Sequence, residues 1–151
     1  MSGAAIGMLV DECTFPVEAG KVRELATAIK DPSLRYRDAA AAEREGFDAI
    51  PAPLTFTIVA GHFRDAPAAV DKLGLDIKRV VVGEVEWSYA QPVLVGDRLD
   101  GRRVVADVHR RRGARGGDMT FVTLESEFRN QRGEVAVRQR EVLIETGAPA
   151  A

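Results

Sequence analysis

The sequence predicts an α+β domain in which helices come first and an antiparallel sheet follows. Three observations carry this. Apolar residues recur at helical spacing between Glu18 and Asp31. From Val81 onward, apolar and polar residues alternate in successive short segments. Short glycine-containing turns, not helical stretches, separate those segments, so consecutive strands should run antiparallel. A chain of 151 residues suits one domain, 1–151, with a core from about residue 6 to 146.

The elements follow in order. Asp11 to Val17 is a short mixed run that suits a strand. Val22, Leu25, Ala26 and Ile29 fall at i, i+3, i+4 and i+7, one apolar helical face, with Lys21, Arg23, Glu24 and Lys30 on the other side. Asp31-Pro32 ends that helix, because a residue before proline avoids the αR region. Arg37 to Glu45 is alanine-rich and reads as a short helix closed by Gly46. Pro51-Ala52-Pro53 is a break. The next stretch, Leu54 to Phe63, is compatible with two structures. Leu54, Phe56 and Ile58 alternate with threonines like a strand, yet a buried helix would also be apolar on most sides.

Val81, Gly83, Val85, Trp87 and Tyr89 then share one parity, as in a half-buried strand. Pro92 to Asp100 is a turn region around Gly96-Asp97. Val104, Ala106 and Val108 form the apolar parity of a second strand, and Met119 to Phe128 is a third. Asn130-Gln131-Arg132-Gly133-Glu134 is a hairpin turn, followed by a fourth strand over Val135 to Glu145. Strands this closely linked should lie side by side as a meander. The tail Gly147-Ala148-Pro149-Ala150-Ala151 is expected to fray.

Composition excludes several classes. The net charge of −2 provides no basic field for nucleic acid or an anionic membrane. No run approaches the roughly 20 apolar residues of a membrane span. Met1 to Val10 lacks the basic start of a secretory signal. Cys13 is the only cysteine, which rules out an internal disulfide, suits a reducing cytoplasm and reads as an apolar filler. His62 and His109 are the only histidines and are far apart, so no metal site is proposed.

Several short motifs occur together in a fixed order. Asp31-Pro32-Ser33-Leu34-Arg35-Tyr36 is followed by Gly46-Phe47, then by Ala52-Pro53-Leu54-Thr55-Phe56. Tyr89-Ala90-Gln91-Pro92-Val93, Gly96-Asp97 and Asn130 to Val135 complete the series. From about Ile6 to Glu145 the chain resembles the MaoC-like dehydratase amino-terminal domain family. That resemblance implies a hotdog fold, in which a long central helix lies in the curl of an antiparallel sheet. It therefore assigns the open Leu54 to Phe63 stretch to helix. It further implies an acyl-thioester ligand, with coenzyme A or acyl-carrier phosphopantetheine as part of the substrate and no separate cofactor. Pairing would be edge to edge, as a homodimer or as a heterodimer with a catalytic hotdog subunit.

Catalytic members of the wider family hydrate a 2-enoyl thioester, or dehydrate the (3R)-hydroxyacyl form, with an Asp and a His in a D-x-N-P-x-H pattern. Here Asp31 falls on the Asp and Tyr36 on the His. A phenol with an ordinary pKa near ~10 is a poor base at neutral pH. The chain is thus read as an acyl-binding subunit, as a catalyst using Asp31 with Tyr36 or His62, or as an accessory protein that binds acyl-CoA without turnover. The family's carbonyl-polarising backbone donor falls at Leu54, beside Thr55, and Phe56, Ile58, Val59, Phe63, Trp87 and Tyr89 are candidates to line the acyl slot as well as to form the core. Arg111, within the cluster Arg110, Arg111, Arg112 and Arg115, is a candidate for phosphate contact, against the plainer reading of a solvated hairpin tip. An acyl-thioester hydrolase on this fold would want a carboxylate on the central helix, and Pro53 to Arg64 contains none.

Overall fold

The computed structural model describes residues 3–113 and 117–147. One five-stranded antiparallel sheet organises it: β1 (Leu9–Pro16), β2 (Val80–Tyr89), β3 (Arg98–Arg112), β4 (Asp118–Arg129) and β5 (Val135–Glu145), in the order β1-β3-β4-β5-β2. The meander expectation holds only for β3, β4 and β5. Strand β2 is not beside β3; it lies at the far edge on β5, with Trp87 opposite Gln139. The reason lies in the Ala90–Asp97 connection, which is not a tight hairpin. Its backbone bonds elsewhere, with Ala52 N–H donating to the Val93 carbonyl at 2.8 Å and Val95 N–H to Ile50 at 2.8 Å. That lets the chain cross the sheet before β3 begins.

Helices cover one face: α1 (Ala19–Ala28), α2 (Ala39–Arg44) and α3 (Ala66–Lys72). Helix α1 ends as the sequence implied, but through backbone geometry more than through the proline. Lys30 N–H donates to Thr27 and Asp31 N–H to Ala26, with Lys30 at φ 59°. This is a helix-ending motif that usually employs glycine. Helix α2 ends the same way with Gly46 at φ 89°, and Phe47 N–H returns to the Ala42 carbonyl at 3.1 Å.

Leu54 to Phe63 is helical rather than extended. It is one tight 3₁₀ run over Phe56–Phe63, separated from α3 by Arg64 and Asp65, so the layer is built from two pieces. Thr55, Thr57, Ile58, Val59 and Gly61 are all weak α-helix formers. Asp65 then starts a new helix by accepting from Ala68 N–H at 3.0 Å, with Pro67 in its first turn.

The covered face of the sheet carries two apolar clusters. One gathers Phe15, Val22, Phe56, Leu99, Phe128 and Val137 under α1 and the 3₁₀ run. The other gathers Val10, Leu73, Val105, Val122 and Leu124 under α3. Between them lies a polar band. Arg103 bonds Asp11 through Nη2 and through Nε at 3.2 Å, and its Nη1 is 3.6 Å from Glu141. Arg64 Nε stands 3.3 Å from Asp11, and its guanidinium lies 5.4 Å from the Phe128 ring centroid. Beside this band burial pushes the Cys13 thiol above its ordinary pKa, opposed by Arg64, so it stays protonated, in keeping with the expected apolar filler role.

The parity expected for β3 needs correcting. Val105, not Val104 or Ala106, is buried, and the register to β4 shifts between Val105 and Asp107. A bulge at Ala106 puts two residues against one partner and so returns Val108 to the face of Val105.

Candidate functional site

A largely apolar slot of about 330 Å³ opens where the 3₁₀ run meets the ends of β2 and β5. Helix starts and turns, more than strands, deliver its walls. The Gly46 turn swings Phe47 into it, and Pro51-Ala52-Pro53-Leu54 forms one side because Ala52 is bonded to Val93. Phe56 and Val137 are fully buried beneath it. The size is at the lower end of small-molecule sites, and the composition suits a hydrocarbon chain.

Polar groups at the slot are few. Both tyrosines of the chain, Tyr36 and Tyr89, line it. Burial pushes the Tyr89 phenol up to about 12, so it is a neutral hydrogen-bond donor across the physiological range. Arg35 lies over the Tyr36 ring at 5.2 Å from its centroid and bonds Glu45 through Nη1 at 2.9 Å, while its Nε has no hydrogen-bond partner. Thr57 is tied down: Trp87 Nε1–H donates to Thr57 Oγ1 at 2.9 Å, and Thr57 donates to Gln139 Oε1 at 2.8 Å. This relay fixes the 3₁₀ run to β2 and β5 and so fixes the slot's inner wall.

The other residues singled out from sequence lie as follows. Tyr36, Leu54 and Phe56 line the slot. Asp31 does not; its carboxylate accepts the Ser33 N–H at 2.9 Å, and the Ser33 hydroxyl first and that N–H second hold its pKa below the ordinary carboxylate value. His62 is exposed near the end of the 3₁₀ run and is not part of the lining. Thr55 is half-buried at the head of the run, and Ile58 is 63% exposed, both outside the lining. Trp87 is engaged with Thr57 rather than turned into the slot. Arg111 lies over Phe121, 5.4 Å from its centroid, near the far end of β3 and away from the slot. Arg115 lies outside the described residues. Phe47, Tyr89, Pro92 and Val93 complete the lining, although sequence alone did not assign Phe47, Pro92 or Val93 to it. The signal was available in part, because each sits inside one of the recurring motifs.

A larger hollow of about 730 Å³ lies on the opposite, uncovered face of the sheet. It is lined by ion-pairing residues such as Arg102 with Glu12 and Arg138 with Glu127, which suit water rather than an acyl chain. Among the described residues no cluster of His, Cys, Asp and Glu could hold a metal ion, and no helix is long and apolar enough to cross a membrane.

A five-stranded antiparallel sheet, a helical layer on one of its faces and a slot at the layer's leading end are the architecture of a hotdog domain. Residues 4–139 match the family described as FAS1-like, dehydratase domain region, and the chain belongs to that family. A UPF0336 protein of Thermobifida fusca is 35% identical over 134 residues, 88% of this chain and 85% of that one. Among solved structures, the C-terminally truncated HadBC (3R-hydroxyacyl-ACP dehydratase) complex of Mycobacterium tuberculosis aligns at TM-score 0.74 and 26% identity, over 92% of this chain and 96% of that one. The MaoC-like dehydratase of Rhodospirillum rubrum shares the fold at TM-score 0.70 and 24% identity, over 97% and 95%.

Proposed function

We propose that this chain is the acyl-binding subunit of a heteromeric (3R)-hydroxyacyl-thioester dehydratase, holding the acyl chain while a sister hotdog subunit supplies the Asp–His pair. One observation carries the reading: the slot has the size and apolar walls for an acyl chain but is lined by neither an imidazole nor a carboxylate. Its polar groups are two phenols, Arg35 and a hydroxyl already engaged on both sides. Neutral phenols donate hydrogen bonds to a carbonyl or hydroxyl but do not take a proton from water at neutral pH. The match to a dehydratase domain region and the likeness to the HadBC complex, a 3R-hydroxyacyl-ACP dehydratase, support this reading.

The test uses crotonyl-CoA and the purified chain. Expected are binding without loss of the enoyl-thioester absorbance, and turnover once a neighbouring hotdog subunit with an intact D-x-N-P-x-H is added. Replacing Ala52 with Trp, which fills the slot, should weaken binding by about tenfold or more. Turnover by the chain alone that disappears in Asp31→Asn would overturn the binding-subunit reading.

A further inference from the structure

We infer that the slot selects thioesters whose acyl group ends in an aromatic ring over straight-chain acyl thioesters of the same carbon number. The inference rests on the acyl-binding reading above and narrows the class of ligand.

Aromatic residues make up only 6% of the chain, yet four of them, Tyr36, Phe47, Phe56 and Tyr89, line this one slot. They arrive from four separate places: the turn before α2, the Gly46 turn, the start of the 3₁₀ run and the end of β2. Among the described residues no two of these rings stack or meet edge to face. Arg35 lies over Tyr36, and no cation lies over the other three. The rings therefore bring π surface to the slot that they do not spend on one another. The rest of the wall is stiff. Pro51, Pro53 and Pro92 have no side-chain freedom to lose or to use. Pro51 is bridged to Leu94, Ala52 N–H donates to Val93 at 2.8 Å, and Phe56 is 1% exposed beneath. No methionine, the side chain that lets a site reshape around different chains, is part of the lining.

A stiff, ring-lined slot discriminates between a flexible guest and a rigid one. A straight chain loses rotational freedom at every carbon–carbon bond it fixes against the wall, whereas an aryl group enters already rigid. The aryl group also gains offset or edge-to-face contacts with the lining rings beyond the area it buries. Size acts in the same direction. At about 330 Å³ the slot is at the lower end of small-molecule sites, and an aryl-ended acyl group is shorter than the extended chain of equal carbon number. The straight chain therefore leaves part of its length unburied or folds back at a cost in conformational strain, while the ring fits within the walls.

The test compares two probes by titration calorimetry on the full chain: cinnamoyl-CoA and trans-2-nonenoyl-CoA. Their acyl groups have equal numbers of carbons and the same conjugated head, and differ only in carrying a ring or a straight tail. Free coenzyme A is the blank. Cinnamoyl-CoA is expected to bind at least about fivefold more tightly than the straight-chain probe. Phe47 is half-buried and outside both core clusters, so Phe47→Leu removes a ring while keeping apolar bulk, with circular dichroism confirming the fold. That variant should reduce the preference to about twofold or less. Equal or tighter binding of trans-2-nonenoyl-CoA would overturn the aromatic selection and leave the acyl-binding reading standing. A preference that Phe47→Leu leaves intact would overturn its assignment to the rings of this slot. If neither probe binds better than free coenzyme A, the acyl-binding reading itself falls, and this inference with it.

Discussion

Removing one hydroxyl, in Thr57→Val, should loosen the slot's inner wall and lower stability measurably. Thr57 is 2% exposed and makes two hydrogen bonds, accepting from the Trp87 indole and donating to Gln139. Valine keeps the shape and loses both. Each bond contributes about 1 kcal/mol net, and the indole N–H and amide oxygen are left facing a methyl group. A loss of about 2 kcal/mol follows, with part offset by the added apolar surface. With an ordinary urea slope for a domain of this size, the midpoint should fall by about 1 M with the slope unchanged. Trp87 is the only tryptophan, so its fluorescence reports the same contact directly in the folded state. Thr57→Ser retains the hydroxyl and should keep the emission of wild type while losing only the packing of a methyl. A Thr57→Val midpoint within about 0.3 M of wild type would refute the claim that this relay anchors the 3₁₀ run.

Three further outcomes are expected. Lys30→Gly should raise stability by about 0.5–1 kcal/mol in the same urea assay, because the residue sits at φ 59°, where a side chain is strained. Arg103→Ala should cost about 3–4 kcal/mol, since it leaves Asp11 and Glu141 unpaired with only Arg64 nearby, whereas Arg103→Lys should recover part of that. The Tyr89 phenol should give an alkaline effect of defined sign. Its pKa is about 12 in the folded chain against ~10 unfolded, so the unfolded state releases the proton first and stability falls as pH rises from about 10 to about 12. The urea midpoint of wild type should fall relative to that of Tyr89→Phe over that window, and a constant difference would show that folding does not desolvate the phenol.

The α1 helix, the Gly46 terminus, the Asn130–Glu134 turn and the general positions of β3, β4 and β5 were legible in the chain because each is governed by neighbours within a few residues. The hairpin turn shows why: Asn130 accepts from Arg132 N–H at 3.0 Å and Glu134 N–H at 3.1 Å, all within five residues. Motif order also pointed to Tyr36, Leu54 and Phe56, which meet in the slot. What failed were inferences that extended a local rule across space. Alternation in β3 was read one residue out of phase because a bulge does not alter composition. His62 and Ile58 lie on the same segment as Phe56, yet they point elsewhere, since a 3₁₀ run turns its side chains at a different spacing from an α-helix.

By itself the sequence determined α1, α2 and the general positions of the strands, and showed that no histidine lies near Asp31 in the chain, whereas Leu54 to Phe63 stayed open on its own pattern and was assigned to helix by the family resemblance. Only the tertiary structure decided that β2 lies at an edge, that Phe47, Pro92 and Val93 share a slot with Tyr36, and that Asp31 is held by its own turn. The physical reason is range. Capping, turn formation and periodicity act over one or two turns of chain. The place of a strand in a sheet and the walls of a cavity depend on residues brought together from about a hundred positions apart, such as Tyr36 and Val137, which line the same slot, and no local pattern encodes that.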